Sequence, residues 1–135
     1  MKQIPALLLA LLCLLACSKT DPSPADLLVG TWQLTTYCKP EPTGCTITPI
    51  PASKGVFVTF AADGTYTEVY GNRIYEGYSF NGCPGSYRFE GSTDIRLFSY
   101  CSSSSRGRLM KLVTISNRQL QIGANQTGNY VFVRL

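Results

Sequence analysis

The chain has 135 residues, 15% of them charged, a formal net charge of +4 and no histidine. That length gives room for one hydrophobic core and not two. Without histidine neither a Ser-His-Asp nor a Cys-His arrangement can be built, and so weak and dispersed a basic balance argues against a nucleic-acid partner.

Behind Lys2, residues 4–16 are apolar apart from Pro5 and Cys13. This run is shorter than the ~20 residues a spanning helix needs. A lysine followed by a short apolar stretch and a small residue is instead how a secretory signal is built. The run ends in Leu14-Leu15-Ala16-Cys17, which resembles the lipobox of bacterial lipoproteins. The resemblance implies that residues 1–16 are a signal peptide, that Cys17 becomes the acylated first residue, and that the protein is held on a membrane of the bacterial cell envelope. Several acyl chains, at ~0.8 kcal/mol per buried methylene, make such attachment permanent. Ser18 in place of aspartate resembles lipoproteins passed on to the outer membrane. The competing reading is an ordinary secretory signal that leaves Cys17 as a spare thiol. Residues 18–26 contain two prolines and almost nothing to bury, so residues 17–26 are expected to be the lipidated cysteine and a flexible tether.

Residues 27–135 show no helical periodicity. Short runs rich in Val, Ile, Thr, Tyr and Phe alternate there with Gly, Asn, Asp and Ser, an all-β pattern. Strands are expected over Leu28–Tyr37, Gly55–Phe60, Thr65–Tyr70, Arg73–Phe80, Gly85–Glu90, Asp94–Tyr100, Leu109–Ser116, Gln119–Ile122 and Tyr130–Leu135. Ala61-Ala62-Asp63-Gly64, Gly71-Asn72, Gly91-Ser92-Thr93 and Asn117-Arg118 read as tight turns, so the strands follow one another as an antiparallel meander. Inward faces are expected at Val56, Val58 and Phe60, at Leu120 and Ile122, and at Val131, Val133 and Leu135. Eight or nine such strands can remove their exposed edges by closing into a barrel. The interior would then take side chains or one small ligand. Two longer connections interrupt the meander. Residues 38–54, with prolines at 40, 42, 49 and 51, are expected to lie as a loop across one barrel end, and the serine-rich stretch 101–108 reads as a solvated loop.

With Cys13 lost and Cys17 acylated, four cysteines remain, and an even number in an oxidising compartment implies disulfides. Three connectivities exist. Cys83 and Cys101 are symmetric about Ser92 at the centre of a turn, and Cys38 and Cys45 flank a short proline loop, so spacing favours Cys38–Cys45 and Cys83–Cys101. Each is worth roughly 2–3 kcal/mol by loop entropy. Neither a thiol metal site nor a redox pair is favoured, and no cofactor or metal is expected.

Gly30-Thr31-Trp32, the segment Phe60-Ala61-Ala62-Asp63-Gly64-Thr65-Tyr66 and the terminal Tyr130-Val131-Phe132-Val133-Arg134-Leu135 together resemble bacterial lipocalin-like lipoproteins. The resemblance implies a lipocalin-like β-barrel. It also implies that the Trp32 indole closes one end beneath Arg134, a structural pair worth about 0.5–2 kcal/mol. A second likeness, Asn81-Gly82-Cys83-Pro84-Gly85-Ser86-Tyr87 with Cys101 downstream, is similar to the pattern of META-domain lipoproteins.

No catalytic residue emerges. Glu68 and Glu76 would fall on one hairpin about Gly71-Asn72, but only as a diagonal pair, too weakly juxtaposed for carboxylate chemistry. Tyr66, Tyr70, Tyr75 and Tyr78 cluster on the same hairpin. They are candidates for ligand or partner contact, the alternative being cross-strand pairs that stabilise the sheet. The expected function is a non-enzymatic, membrane-anchored barrel for a small hydrophobic or amphipathic ligand, the alternative being an interaction module of an envelope complex. Oligomeric state is not readable.

Overall fold

The computed structural model describes residues 21–42, 44–71, 79–124 and 128–135. Among these described residues nine strands form: β1 (Gly30–Glu41), β2 (Gly44–Pro49), β3 (Val56–Phe60), β4 (Thr65–Tyr70), β5 (Gly85–Phe89), β6 (Asp94–Ser99), β7 (Arg108–Ile115), β8 (Gln119–Ala124) and β9 (Gly128–Arg134). Each strand from β3 to β9 pairs antiparallel with the next, and β1 pairs with both β3 and β9. The result is a closed eight-stranded antiparallel barrel with β2 as an additional strand. Closure leaves the barrel itself without an edge.

One helical turn precedes the barrel. Residues 24–26, expected in the tether, form the start of α1 (Pro24–Leu28). Pro24 presets the first turn, and a capping box joins its ends. Ser23 Oγ accepts from the Asp26 amide at 3.2 Å, and the Asp26 carboxylate accepts from the Ser23 amide at 3.1 Å. Leu28 at its end is fully buried.

The proline-bearing stretch after Cys38 is not a loop lying across a barrel end. β1 is bulged between Leu34 and Thr36, where a strand bends. Beyond the bulge, the edge that had paired with β3 passes to β2. Proline is tolerated here because β2 lies at the sheet's edge. Cys38 faces Ile47 and Cys45 faces Pro40, so the Cys38–Cys45 disulfide is a diagonal bridge within this hairpin, Cα–Cα 5.5 Å.

The expected strand at 73–80 falls mostly outside the described residues. Ser79 and Phe80 are not in a strand, and the start of β4 pairs with β5 through Thr65↔Ser86 and Tyr66↔Gly85. Gly85 is required there: a Cβ would stand 1.9 Å from the Phe98 carbonyl oxygen across the β5–β6 ladder. Beyond that ladder the pairing Gly85↔Ser99 places Cys83 opposite Cys101, and the two form the second disulfide, Cα–Cα 6.1 Å.

The core is continuous through the barrel. Val56, Val58 and Phe60 of β3 face inward, as do Ile95 and Leu97, Met110 and Leu112, and Leu120 and Ile122. On β9 the inward pair is Tyr130 and Phe132, whereas Val133 is 39% and Leu135 68% exposed. Apolar residues stand at both parities of this strand, so alternation could not choose between them; the larger aromatic surface is the one buried.

Candidate functional site

The two ends of the barrel differ in chemistry. At one end, where α1 and the turns after β3, β5 and β7 lie, Trp32 is fully buried. Its indole N–H donates to the Leu28 carbonyl at 2.8 Å. The Arg134 guanidinium lies 5.0 Å from the centre of the Trp32 ring and donates to the carbonyls of Leu27 and Val29. Gly30, at φ +140°, makes room for it: a Cβ there would meet the guanidinium at 2.6 Å. This end is closed by packing and by a cation on an aromatic face.

At the other end the inward positions become polar. Glu68, between Tyr66 and Tyr70 on the inner face of β4, and Arg108, on the inner face of β7 ahead of Met110 and Leu112, both point into the mouth. Between them runs the segment Phe80-Asn81-Gly82. Glu68 Oε1 accepts from the Phe80 amide at 2.7 Å and from the Tyr70 hydroxyl at 2.7 Å. Its Oε2 accepts from the Asn81 amide at 2.8 Å and the Gly82 amide at 2.9 Å. Arg108 donates to the Phe80 carbonyl at 3.1 Å and to the Tyr130 hydroxyl at 3.0 Å. Asn81 also donates to the Tyr66 hydroxyl. A segment with no strand neighbour among the described residues thus has backbone groups satisfied by two charged side chains, which bind more strongly than neutral partners.

This clamp holds Phe80 in the barrel. The ring is 1% exposed and meets Tyr130 at 5.2 Å, Phe132 at 5.4 Å and Phe60 at 6.4 Å, each edge-on. Such contacts add about 0.5–1.5 kcal/mol each beyond burial. The mouth side of the interior is therefore filled by the chain's own phenyl group. Tyr37 stacks on Tyr130 at 4.9 Å, and burial pushes its hydroxyl pKa upward, reinforced by Tyr130. Burial also raises that of Tyr66, and the Asn81 hydrogen bond and Arg108 oppose it.

Outside the Phe80 plug lies a cleft of about 370 Å³. Its walls are the segments around Asn81 and Ser102, joined by the Cys83–Cys101 disulfide. Leu97, Ser99, Ser104, Gly107 and Arg108 also line it. The volume suits a small molecule.

Of the residues singled out from sequence, Trp32 and Arg134 meet at the closed end. Tyr66 is buried in the core, and Tyr70 donates to Glu68, so these two serve the barrel and its clamp. Tyr75, Tyr78, Glu76 and Cys17 lie outside the described residues. Glu68 acts as an acceptor for backbone amides. Arg108 was missed, although a charge in phase with the apolar positions Met110 and Leu112 is a signal that alternation alone can raise.

Two solved structures share this architecture. A lipocalin-like protein from Bacteroides uniformis superposes with a TM-score of 0.58 at 20% identity, over 81% of this chain and 99% of its own. An uncharacterized protein from Bacteroides eggerthii gives 0.58 at 18% identity, over 80% and 99%. The fold is lipocalin-like. No family model and no curated protein matches the chain.

Proposed function

We propose that the protein is a non-catalytic, lipid-anchored barrel of the bacterial outer membrane that binds a small amphipathic molecule at its mouth. The observation that carries this reading is the cleft of about 370 Å³ at the open end, which sets polar groups of two loops beside the apolar Leu97. An amphipathic ligand would lay its apolar part toward Leu97 and its polar part among the serines. The acylated Cys17 adds an orientation. Residues 18–23 reach at most ~20 Å before α1, and α1 covers the closed end, so the cleft points away from the membrane that holds the anchor.

Native mass spectrometry of the mature lipoprotein, extracted from its host's membranes into nanodiscs, tests this reading. A discrete co-purifying small molecule is the expected result, and a spectrum of unliganded protein alone would overturn it. The alternative, an interaction module of an envelope complex, is favoured by the β1–β2 hairpin. There Ile47 is 70% exposed, and β2 has one paired edge among the described residues. In the same spectrum it predicts a protein partner in place of a small molecule.

A further inference from the structure

We propose that one side of the barrel wall is an interface between two copies of this chain. The inference goes beyond the ligand-binding reading and takes from it only the anchor. Side chains alternate along each strand, so the neighbours of buried residues face out. On β5, β6 and β7 the outward positions include Arg88, Asp94, Arg96 and Lys111, with Arg88 beside Arg96 and Asp94 beside Lys111. The wall is different from β8 through β9, β1 as far as Cys38, and β3 to β4. The charged residues of those strands are Glu68 and Arg134, and both face inward, to the clamp and to Trp32. The ladder sets one outward row across all five strands: Gln119 pairs with Val133, Val133 with Gln33, Gln33 with Phe57 and Phe57 with Val69. Val69 is 58% and Val133 39% exposed.

A second copy is the occupant this surface fits. A two-fold interface sets a patch against itself, so side chains near the axis meet their own kind. On the charged side, Arg88 and Arg96 would face another pair of cations, which repels. A glutamine amide both donates and accepts, so Gln33, in the middle of the row, can bond the Gln33 of a second copy while Val133 and Phe57 bury apolar area beside it. The net charge of +4 adds a general repulsion that is least where two uncharged walls meet. The anchor supplies the geometry. Lipidated copies stand closed end down on one membrane and present their walls to each other, so a two-fold axis along the membrane normal joins wall to wall. Four gaps of ~4.8 Å and about five residues at ~3.3 Å make a wall of roughly 300 Å², well under the ~800 Å² per partner of a standard complex. The pair is therefore weak in solution and forms where confinement to a membrane raises the effective concentration.

The test is cross-linking of the full lipoprotein in its host's membranes with a short bismaleimide, with Gln33→Cys as the probe and Arg88→Cys, on the charged side, as the control. Gln33→Cys should give a covalent dimer that mass spectrometry identifies as two copies of this chain, and Arg88→Cys should give little. Adding Val133→Lys to the probe sets like charges across the axis. It should cut the dimer by about tenfold or more and leave the thermal unfolding midpoint unchanged. Should that variant fail to fold, Gln119→Lys, exposed in the same row, takes its place. No dimer from Gln33→Cys, equal yields from the two probes, an adduct with a different protein, or a dimer indifferent to the added lysine would overturn the proposal. A dimer recovered from the soluble fraction, with Cys17 unacylated, would keep the interface and remove the anchor from the account.

Discussion

Glu68→Gln isolates the clamp that holds Phe80 in the barrel. The wild-type carboxylate serves four donors: Oε1 takes the Tyr70 hydroxyl and the Phe80 amide, and Oε2 takes the Asn81 and Gly82 amides. Glutamine keeps one oxygen and replaces the other with an amide nitrogen that donates and cannot accept. With that nitrogen at the Oε1 position the Tyr70 hydroxyl can turn and accept from it, so the Phe80 amide is the donor that loses its partner and faces another donor. Leaving a donor unsatisfied costs about 1–3 kcal/mol when it is buried. This mouth is partly open to water, so the low end applies to the Phe80 amide, and with the weakening of the Asn81 and Gly82 bonds as their acceptor loses its charge the total is roughly 2–3 kcal/mol. Urea unfolding with the disulfides intact should show that loss. Hydrogen exchange gives it a location: in the variant the amides of Phe80, Asn81 and Gly82 should open with a free energy well below the global value, while Leu120 and Ile122 still open only with global unfolding. A variant within 0.5 kcal/mol of the wild type, with these amides still protected, would refute the clamp.

Phe80→Ala should cost about 3–5 kcal/mol in urea unfolding and leave a cavity large enough for a benzene-sized probe; a cost below 1 kcal/mol would mean that the ring is not a plug. The Glu90 carboxyl, hydrogen-bonded first by Arg96 and also by Arg88, is held down to about 2 from an ordinary 4.5. A pKa depressed by folding contributes stability that is present above the unfolded value and lost as the pH falls through the folded one. The stability gap between wild type and Glu90→Gln should accordingly narrow from pH 4.5 towards 2, and a constant gap across that range would count against the ion pair. Cys17→Ser should abolish incorporation of radiolabelled palmitate in the native host; label retained by the variant would remove the lipid anchor from the account.

Much of the fold was legible because strands and turns announce themselves locally. The turns at Ala61–Gly64, Gly91–Thr93 and Asn117–Arg118 could be read directly, and the symmetry of Cys83 and Cys101 about Ser92 anticipated the β5–β6 register. β2 was hidden because prolines and a short edge position disguise a strand whose hold comes from β1 and a disulfide. α1 was hidden because a single capped turn carries no periodicity.

By itself the sequence determined the all-β class, most strand and turn positions and the cysteine pairing, since each rests on residues near one another in the chain or on a two-residue alternation. Only the tertiary structure decided which aromatic face of β9 turns inward, that Phe80 fills the mouth, and that Glu68 and Arg108 share one loop between them. These depend on register across a closed barrel, where residues 12 to 28 positions apart meet. No local pattern encodes a backbone segment satisfied by side chains from two distant strands.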